Sequence, residues 1–335
     1  MSSFQLVPGV VVEPDRHQVF VMTPEGGVVG LDLASGEAVW RSPEAAKPIT
    51  IVGDLLVAQA EQPGPANSMS LVSLDLGQGA PVAESLVELP PNVRPMIGQS
   101  ANRAFTAQAA PVGPQATRAN IAWEFVERPL RGVARGPIQQ LPGEAPPVVS
   151  AGAPDGGPPP TFAAASAPAV AEPGGEATVL RGEVEIEPAS GAVVPTLAPG
   201  LAVAPPGPVG LDAAAAAVPA EAPLRGIPQP QFLSADQRHV MSSLRVAGSD
   251  WDKYRWTIYR REDGQEVGSL RTFVRYAPFF VTDTGIVFLA PPHARRIGGE
   301  LVEETLQLRA VDLGTGDSLW SQPVRDTTDR EPRPP

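Results

Sequence analysis

One stretch of the sequence concentrates aromatic and basic residues in the way that recognition surfaces do. Its members are Trp251, Tyr254, Arg255, Trp256, Tyr259 and Arg260. Trp, Tyr and Arg dominate the energetics of protein interfaces, so this stretch is a candidate partner-binding site. The same spacing fits a loop that enters a β-strand whose alternate aromatic side chains pack against a neighbouring sheet. The sequence leaves both interpretations open, partner binding and core packing.

A second candidate group is the carboxylate of Asp283. The tripeptide Asp283-Thr284-Gly285 resembles the aspartic-protease signature, in which two such carboxylates share one proton. The tripeptide occurs once, so protease chemistry would require a homodimer. Because it falls on the same predicted turn as Asp15 and Asp236, we favour a hairpin turn.

Other catalytic or metal-binding arrangements are not recognisable. The three histidines, His17, His239 and His293, lack the spacing of a metal site. We find no phosphate-binding glycine loop with a lysine, no nucleophile elbow and no Ser-His-Asp arrangement. Sugar hydrolysis would need carboxylates on inner strands, whereas the aspartates fall at predicted turns. The sequence thus predicts no catalytic residue, no cofactor and no metal site.

Charge and composition argue against several classes of partner and location. The formal net charge is −12, whereas nucleic acids and anionic membranes bind clustered Lys and Arg. The chain has no cysteine, so it can form neither disulfides nor thiolate metal sites. Neither a secretory signal nor an apolar stretch of the roughly 18 residues of a spanning helix is recognisable. We therefore expect a cytoplasmic protein.

A repeated unit indicates which elements position these residues. Residues 31–40 and 311–320 align without gaps, and a weaker copy begins at residue 74. In each unit an aspartate can accept backbone hydrogen bonds in a turn, and a glycine can take the positive φ that closes it. Two of the units end in tryptophan. The repeat residues are Asp32, Gly36 and Trp40, then Asp75 and Gly79, and finally Asp312, Gly316 and Trp320.

A second predicted hairpin precedes each unit, which gives four antiparallel strands per repeat. The spacing of about 40 to 50 residues is typical of propeller blades. The predicted fold is therefore an all-β propeller with about five recognisable blades, over 8–43, 48–90, 94–135, 229–272 and 274–325. The corresponding domains are blades one to three in 1–136, a disordered Pro/Ala/Gly-rich insert in 137–228, blades four and five in 229–326, and a disordered tail in 327–335. One segment of the insert, 182–194, alternates like a hairpin and could be the remnant of a further blade.

Two stretches, 20–41 and 302–320, resemble the repeat of pyrroloquinoline-quinone-like (PQQ-like) β-propellers. The resemblance implies that Trp40 and Trp320 dock between neighbouring blades, with Ala83 and Gly268 at the matching positions of weaker blades. Quinone-dependent members of the family have about eight blades and often a vicinal disulfide. This chain has fewer predicted blades and no cysteine, so the resemblance favours a member without a cofactor.

The function predicted from the sequence is a non-enzymatic scaffold that binds a protein or peptide partner on one rim, with the Pro/Ala-rich insert as a tether. The alternative is a ligand-binding or quinone-dependent oxidoreductase-like propeller whose pocket lies in the central channel. An incomplete ring would instead close by pairing with a second copy, which would make the protein a homodimer.

Overall fold

In a computed structural model of the chain, the described residues are 3–62, 64–65, 67–97, 100, 102–112, 117–128, 178–194, 224–247, 253–297 and 300–326. These residues form 23 β-strands and one 3-10 turn, Pro14–Arg16. Among them, no helix has the length and apolarity needed to cross a membrane.

The first two sheets form from consecutive antiparallel strands. The first sheet contains β1 (Phe4–Val7), β2 (Val10–Glu13), β3 (Gln18–Met22), β4 (Val28–Asp32) and β5 (Ala38–Ser42). The second contains β6 (Ala45–Val52), β7 (Leu55–Ala60), β8 (Ser68–Asp75) and β9 (Pro81–Glu88). Their inner strands are apolar runs buried on both faces, as expected for sheets that pack between two neighbours.

The third sheet combines strands from both sides of a long gap in sequence. It contains β10 (Arg103–Val112), β11 (Arg118–Glu127), β12 (Thr178–Glu187) and β13 (Ala192–Val194). This differs from the prediction that 137–228 is one unstructured insert and that the third blade ends before it. Residues 182–194 form a hairpin. The buried residues of this hairpin, such as Val184 and Ile186, extend the apolar face of β11. The rest of the predicted insert, 137–177 and 195–223, and the tail 327–335 lie outside the described residues.

The last two sheets follow the repeat more closely. The fourth contains β14 (Gln231–Leu233), β15 (His239–Arg245), β16 (Tyr254–Arg260) and β17 (Glu266–Thr272). The fifth contains β18 (Phe279–Val281), β19 (Ile286–Ala290), β22 (Gln307–Val311) and β23 (Ser318–Pro323). A separate two-stranded ribbon, β20 (His293–Ile297) and β21 (Glu300–Glu304), connects β19 to β22.

The sheets stack face to face through four core clusters. One cluster joins the first sheet to the second, another the second to the third, a third the fourth to the fifth, and the last the fifth back to the first. Among the described residues, no core cluster joins the third sheet to the fourth. The sheets therefore neighbour one another in the order third, second, first, fifth, fourth, as blades of a propeller do.

Tryptophan side chains dock each of two sheets onto the turn of the next. Trp40 donates from Nε1 to the Leu76 carbonyl at 2.7 Å. A β-carbon on Gly79 would overlap the Trp40 ring, so this turn needs glycine both for its φ of 69° and for the close approach. Trp320 docks on the first sheet in the same way. The second and fourth sheets, which carry Ala83 and Gly268 at this position, approach their neighbours with the backbone instead.

A β-bulge on the outermost strand of four sheets orients these docking residues. In each bulge one aliphatic residue has no partner on the adjacent strand and lies between 40% and 49% exposed. The bulge residues are Val39, Val82, Val267 and Leu319. Because the extra residue shifts the register by one, the residue after it faces the neighbouring sheet, and the interrupted ladder makes the edge a poor template for further strands.

Aspartates close the turns that receive the docking side chains. Asp32 Oδ1 accepts the backbone N–H groups of Ala34 and Ser35 at 3.0 and 2.8 Å. Asp75 and Asp312 make the equivalent pairs of bonds. These backbone donors lower the pKa values of Asp32 and Asp312, because they stabilise the ionised carboxylate.

Candidate functional site

A cleft of about 400 Å³ opens where equivalent turns of three sheets meet strand β1. The turns lie between the first two repeat strands of the first, fourth and fifth sheets, at 14–17, 235–238 and 281–283. These are the turns that the sequence places at Asp15, Asp236 and Asp283. The fifth sheet packs on the first and the fourth packs on the fifth, which brings the three turns together. Sequence spacing alone does not reveal this.

The base of the cleft is apolar. The rings of Phe4 and Phe280 meet edge to face with their centroids 5.5 Å apart. Leu33 and Val281 extend this apolar surface. Since Phe280 is only 2% exposed, the base is a rigid part of the core between the first and fifth sheets.

The rim of the cleft carries charged and polar groups from different sheets. Asp236 accepts the Arg238 backbone N–H at 3.1 Å and the Ser234 hydroxyl, so its carboxylate also holds the turn. Among the described residues, no group donates a hydrogen bond to the Asp283 carboxylate, which is therefore available to a ligand. His17 and Arg238 complete the charged or ionisable lining.

Two rim residues adopt backbone conformations that favour glycine. His17 has φ 54° in the turn of the first sheet, and Gln237 has φ 60° in the turn of the fourth, one position earlier in the repeat. Hydrogen bonds between turns and neighbouring strands hold this geometry, for example from the Leu33 N–H to the His17 carbonyl at 2.8 Å. Backbone strain that the surrounding structure supports is typical of binding sites.

The two aspartates on this cleft do not resemble a protease pair. Each belongs to its own turn, and Asp236 is already satisfied by Ser234 and a backbone N–H. Among the described residues, no group of three or more acidic, histidine or cysteine side chains could hold a metal ion. The cleft thus offers a ligand an apolar base beneath two carboxylates, with Arg238 and His17 on the same rim.

The aromatic cluster predicted from the sequence is divided between two faces of the fourth sheet. Trp256 is fully buried, donates from Nε1 to the carbonyls of Val274 and Arg275 at 3.0 Å, and packs on Phe288. Tyr254 lies on the same face, so core packing is the role of Trp256 and of its neighbour. Arg255 and Tyr259 lie on the opposite face, Arg260 pairs with Asp263 at the turn, and Trp251 lies outside the described residues. The proposed binding role of this set stays a prediction.

The other two histidines have structural surroundings. His239 lies on β15, where burial lowers its pKa although Asp236 opposes the shift. His293 lies on the ribbon, with Nε2 3.3 Å from a Glu304 carboxylate oxygen and its ring against Phe273.

Two buried charges were not anticipated from the sequence. Glu13 is fully buried, and neither of its carboxylate oxygens accepts a hydrogen bond from the described part of the chain. Burial raises its pKa, and the neighbouring Asp15 charge raises it further. Lys47 is 3% exposed, and burial lowers its pKa to about 8. The signal that could have found them is a single charge next to an apolar run, as in Val10-Val11-Val12-Glu13.

Comparisons with known proteins give structural similarity only. No protein-family model matches the sequence, and neither does any curated protein. BamB from Moraxella catarrhalis aligns at 13% identity over 93% of this chain, with a TM-score of 0.29. A europium-containing methanol dehydrogenase aligns at 11% identity over 94% of this chain and 68% of its own, with a TM-score of 0.23. The β-propeller domain of Cps50 (Swd1) from Myceliophteria thermophila aligns at 10% identity over 96% of this chain and 88% of its own, with a TM-score of 0.24.

The chain covers 62% of the length of BamB. At these TM-scores the superpositions are partial, and they assign no function to this chain. Function is therefore argued from the geometry of the cleft and of the sheets.

Proposed function

We propose that this protein is a non-enzymatic β-propeller scaffold that binds a protein or peptide partner in the cleft formed by the turns of the first, fourth and fifth sheets. The observation that carries the proposal is the cleft itself, because three repeats and β1 contribute to one cavity with an apolar base and a charged rim. Recognition pockets combine a mainly apolar surface with a few polar groups that fix orientation.

The lining indicates the chemistry of the partner segment. An apolar side chain would pack on the partly exposed Phe4 and Val281, and a lysine or arginine beside it would pair with Asp283. A charged hydrogen bond to a carboxylate is stronger than one between neutral groups, and Asp283 has no competing donor among the described residues. The expected ligand is therefore a short segment with an aliphatic residue next to a basic one.

Further parts of the proposal concern the whole chain. The Pro/Ala-rich stretch would tether the scaffold to its partner, and the protein would act in the cytoplasm. The competing hypotheses are a small-molecule or quinone site in the central channel and a ring that closes by homodimerisation.

Binding of labelled peptides from a randomised library tests the function. We expect selected peptides to carry an aliphatic–basic pair, and Asp283→Asn to weaken binding roughly tenfold, about the effect of 1.4 kcal/mol. Asp317→Asn is the matched control, because Asp317 is an exposed turn aspartate that does not line the cleft. Selection of no peptide, together with a thermal shift on adding quinone and calcium, would contradict the proposal in favour of the channel pocket.

A further inference from the structure

The fourth sheet has one face that packs on the fifth sheet and one that joins no core cluster among the described residues. The strand register defines the second face, which we call the open face. Its rows are Leu244, Arg255 and Arg271, then Gln231, Ser242, Thr257 and Ser269, then Leu233, Val240, Tyr259 and Glu266. Leu244 is 43% exposed and both arginines are exposed, so the end of the face that carries them is accessible. Val240, Gln231 and Ser242 are buried, and the last two bond to the segment 224–228 that precedes the sheet.

The other sheets show what the repeat places on the equivalent face. In the first sheet, the face that packs on the fifth sheet carries Val21, Val29 and Leu33. Trp320 of the fifth sheet docks on the turn at Leu33. By the repeat alignment the fourth sheet has Ser242, Thr257 and Arg261 at these positions. The open face therefore keeps the geometry of a blade interface but has a more polar composition, as interfaces that form between separate chains do.

The turn of the fourth sheet has the glycine on which a residue of the adjacent sheet docks in other repeats. Among the described residues, nothing docks on this one. Gly264 has φ 70°, like Gly36, and no atom of the described residues lies within 4 Å of where its β-carbon would stand. Trp320 lies against Gly36 and Trp40 against Gly79, while the second sheet's backbone reaches Gly191. On the fifth sheet the fourth sheet's Gly268 contacts Leu313 instead.

The open face carries two arginines at one end, Arg255 and Arg271, and one glutamate, Glu266, at the other. Arg255 donates to the Ser269 hydroxyl at 3.2 Å, and neither Arg255 nor Arg271 pairs with a carboxylate among the described residues. The outward face of the third sheet differs, because its arginines pair with glutamates on the same face, as in Arg118–Glu185 and Arg181–Glu124. The arginines of the third sheet's outward face are thus neutralised by glutamates, whereas Arg255 and Arg271 have no such partner among the described residues.

We infer that the open face binds an extended acidic segment of a partner protein, with an aromatic side chain seated on the Gly264 turn. Carboxylates of that segment pair with Arg255 and Arg271. The aromatic ring occupies the place that Trp320 and Trp40 take on other turns, where the exposed guanidinium of Arg261 can lie over its face. This surface is separate from the cleft of the proposed function, and neither site depends on the other.

The chain's own docking strand supplies a probe for this site. The probe is a fluorescent peptide with the sequence of residues 316–323, which contains Trp320, extended by glutamates at both ends. We expect saturable binding by fluorescence anisotropy, roughly tenfold weaker for a peptide with alanine in place of the tryptophan. Binding should also weaken as ionic strength rises, because exposed charges are screened.

Charge reversal on the protein assigns the probe to this face. Arg255→Glu with Arg271→Glu should weaken binding roughly tenfold or more, with an unchanged circular dichroism spectrum. The matched control, Arg118→Glu with Arg181→Glu on the third sheet's outward face, should bind as the wild type does. Asp283→Asn should also leave this probe unaffected, so that failure here is distinguishable from failure of the cleft.

Three outcomes would overturn the inference. The first is no binding of the probe, or binding that the double reversal on the fourth sheet leaves unchanged. The second is a dimer in light scattering that the same reversal dissociates, because the occupant would then be a second copy. The third is binding that appears only when residues 199–219 are replaced by a Gly/Ser linker of equal length, because the chain's own segment would then be the occupant.

Discussion

A β-carbon on Gly36 would lie 2.5 Å from Cγ of Trp320, so the indole of the fifth sheet rests directly on the turn of the first. The same indole donates from Nε1 to the Leu33 carbonyl at 3.0 Å, across 287 residues of sequence. Gln322 adds a 2.9 Å bond to the Gly36 carbonyl. Two side chains and one turn therefore join two sheets that are distant in sequence.

Trp320→Ala should lower the free energy of unfolding by about 3 to 5 kcal/mol, because it leaves a cavity and an unpaired Leu33 carbonyl. Urea denaturation monitored by circular dichroism measures this. Leu319→Ala is the control, since Leu319 is the exposed bulge residue next to it. Equal losses in the two variants would mean that the docking contact does not stabilise the junction of these sheets.

Local chemistry in the sequence was enough to locate the repeat turns. An aspartate followed four residues later by a glycine specifies a turn through its own hydrogen bonds and φ, as at Asp32 and Gly36. The bulge at Val39 was not predictable. A bulge is defined by how two strands pair, and the residue types of Ala38-Val39-Trp40 do not mark which residue is left without a partner.

Long-range pairing was the part that sequence reasoning missed. β12 pairs with β11 across about 50 residues, and nothing local to residues 178–187 identifies the partner strand. The cleft also depends on which sheets become neighbours, so its three turns were recognised individually but not as one site. Burial separates the roles of residues in the aromatic cluster, because strand alternation places Trp256 in the core and Arg255 on the opposite face.

Glu13→Gln should stabilise the protein at neutral pH by about 1 kcal/mol, since it removes a buried charge without hydrogen bonds. The folded-state pKa of Glu13 is raised above 4.5, so the native state favours the protonated form. Its contribution to stability is present below the unfolded pKa and is lost as pH rises through the folded pKa.

Unfolding free energies measured from about pH 4 to pH 7 should therefore fall more steeply for the wild type than for Glu13→Gln. Glu37→Gln serves as the control, because Glu37 is exposed at a turn. Parallel pH profiles for the wild type and Glu13→Gln would show that Glu13 is already compensated, for example by buried water.

Lys47→Met should raise the free energy of unfolding near pH 7 by about 3 kcal/mol, on the basis of a pKa lowered from 10.5 to about 8. The unfolded chain holds its proton up to about pH 10.5 and the folded chain releases it near pH 8, so wild-type stability should rise between these values from this group. Methionine fills a similar volume without the charge. Denaturation of Lys47→Met and of the exposed-site control Lys253→Met at several pH values tests this, and a loss of stability in Lys47→Met would contradict it.

The two parts of the predicted insert should respond differently to deletion. Glu127 and Thr178 are directly paired at the ends of β11 and β12, so a linker of about four residues can replace 130–176 and join the two strands as a hairpin. We expect this variant to unfold cooperatively within about 1 kcal/mol of the wild type, since closure entropy varies only slowly with loop length. Deletion of 140–226 should instead be strongly destabilising, because it removes β12 and β13 and uncovers Ile121 and Trp123. Urea denaturation with limited proteolysis distinguishes the two variants, and equal stability in both would show that the strands from 178 to 194 are dispensable to the third sheet.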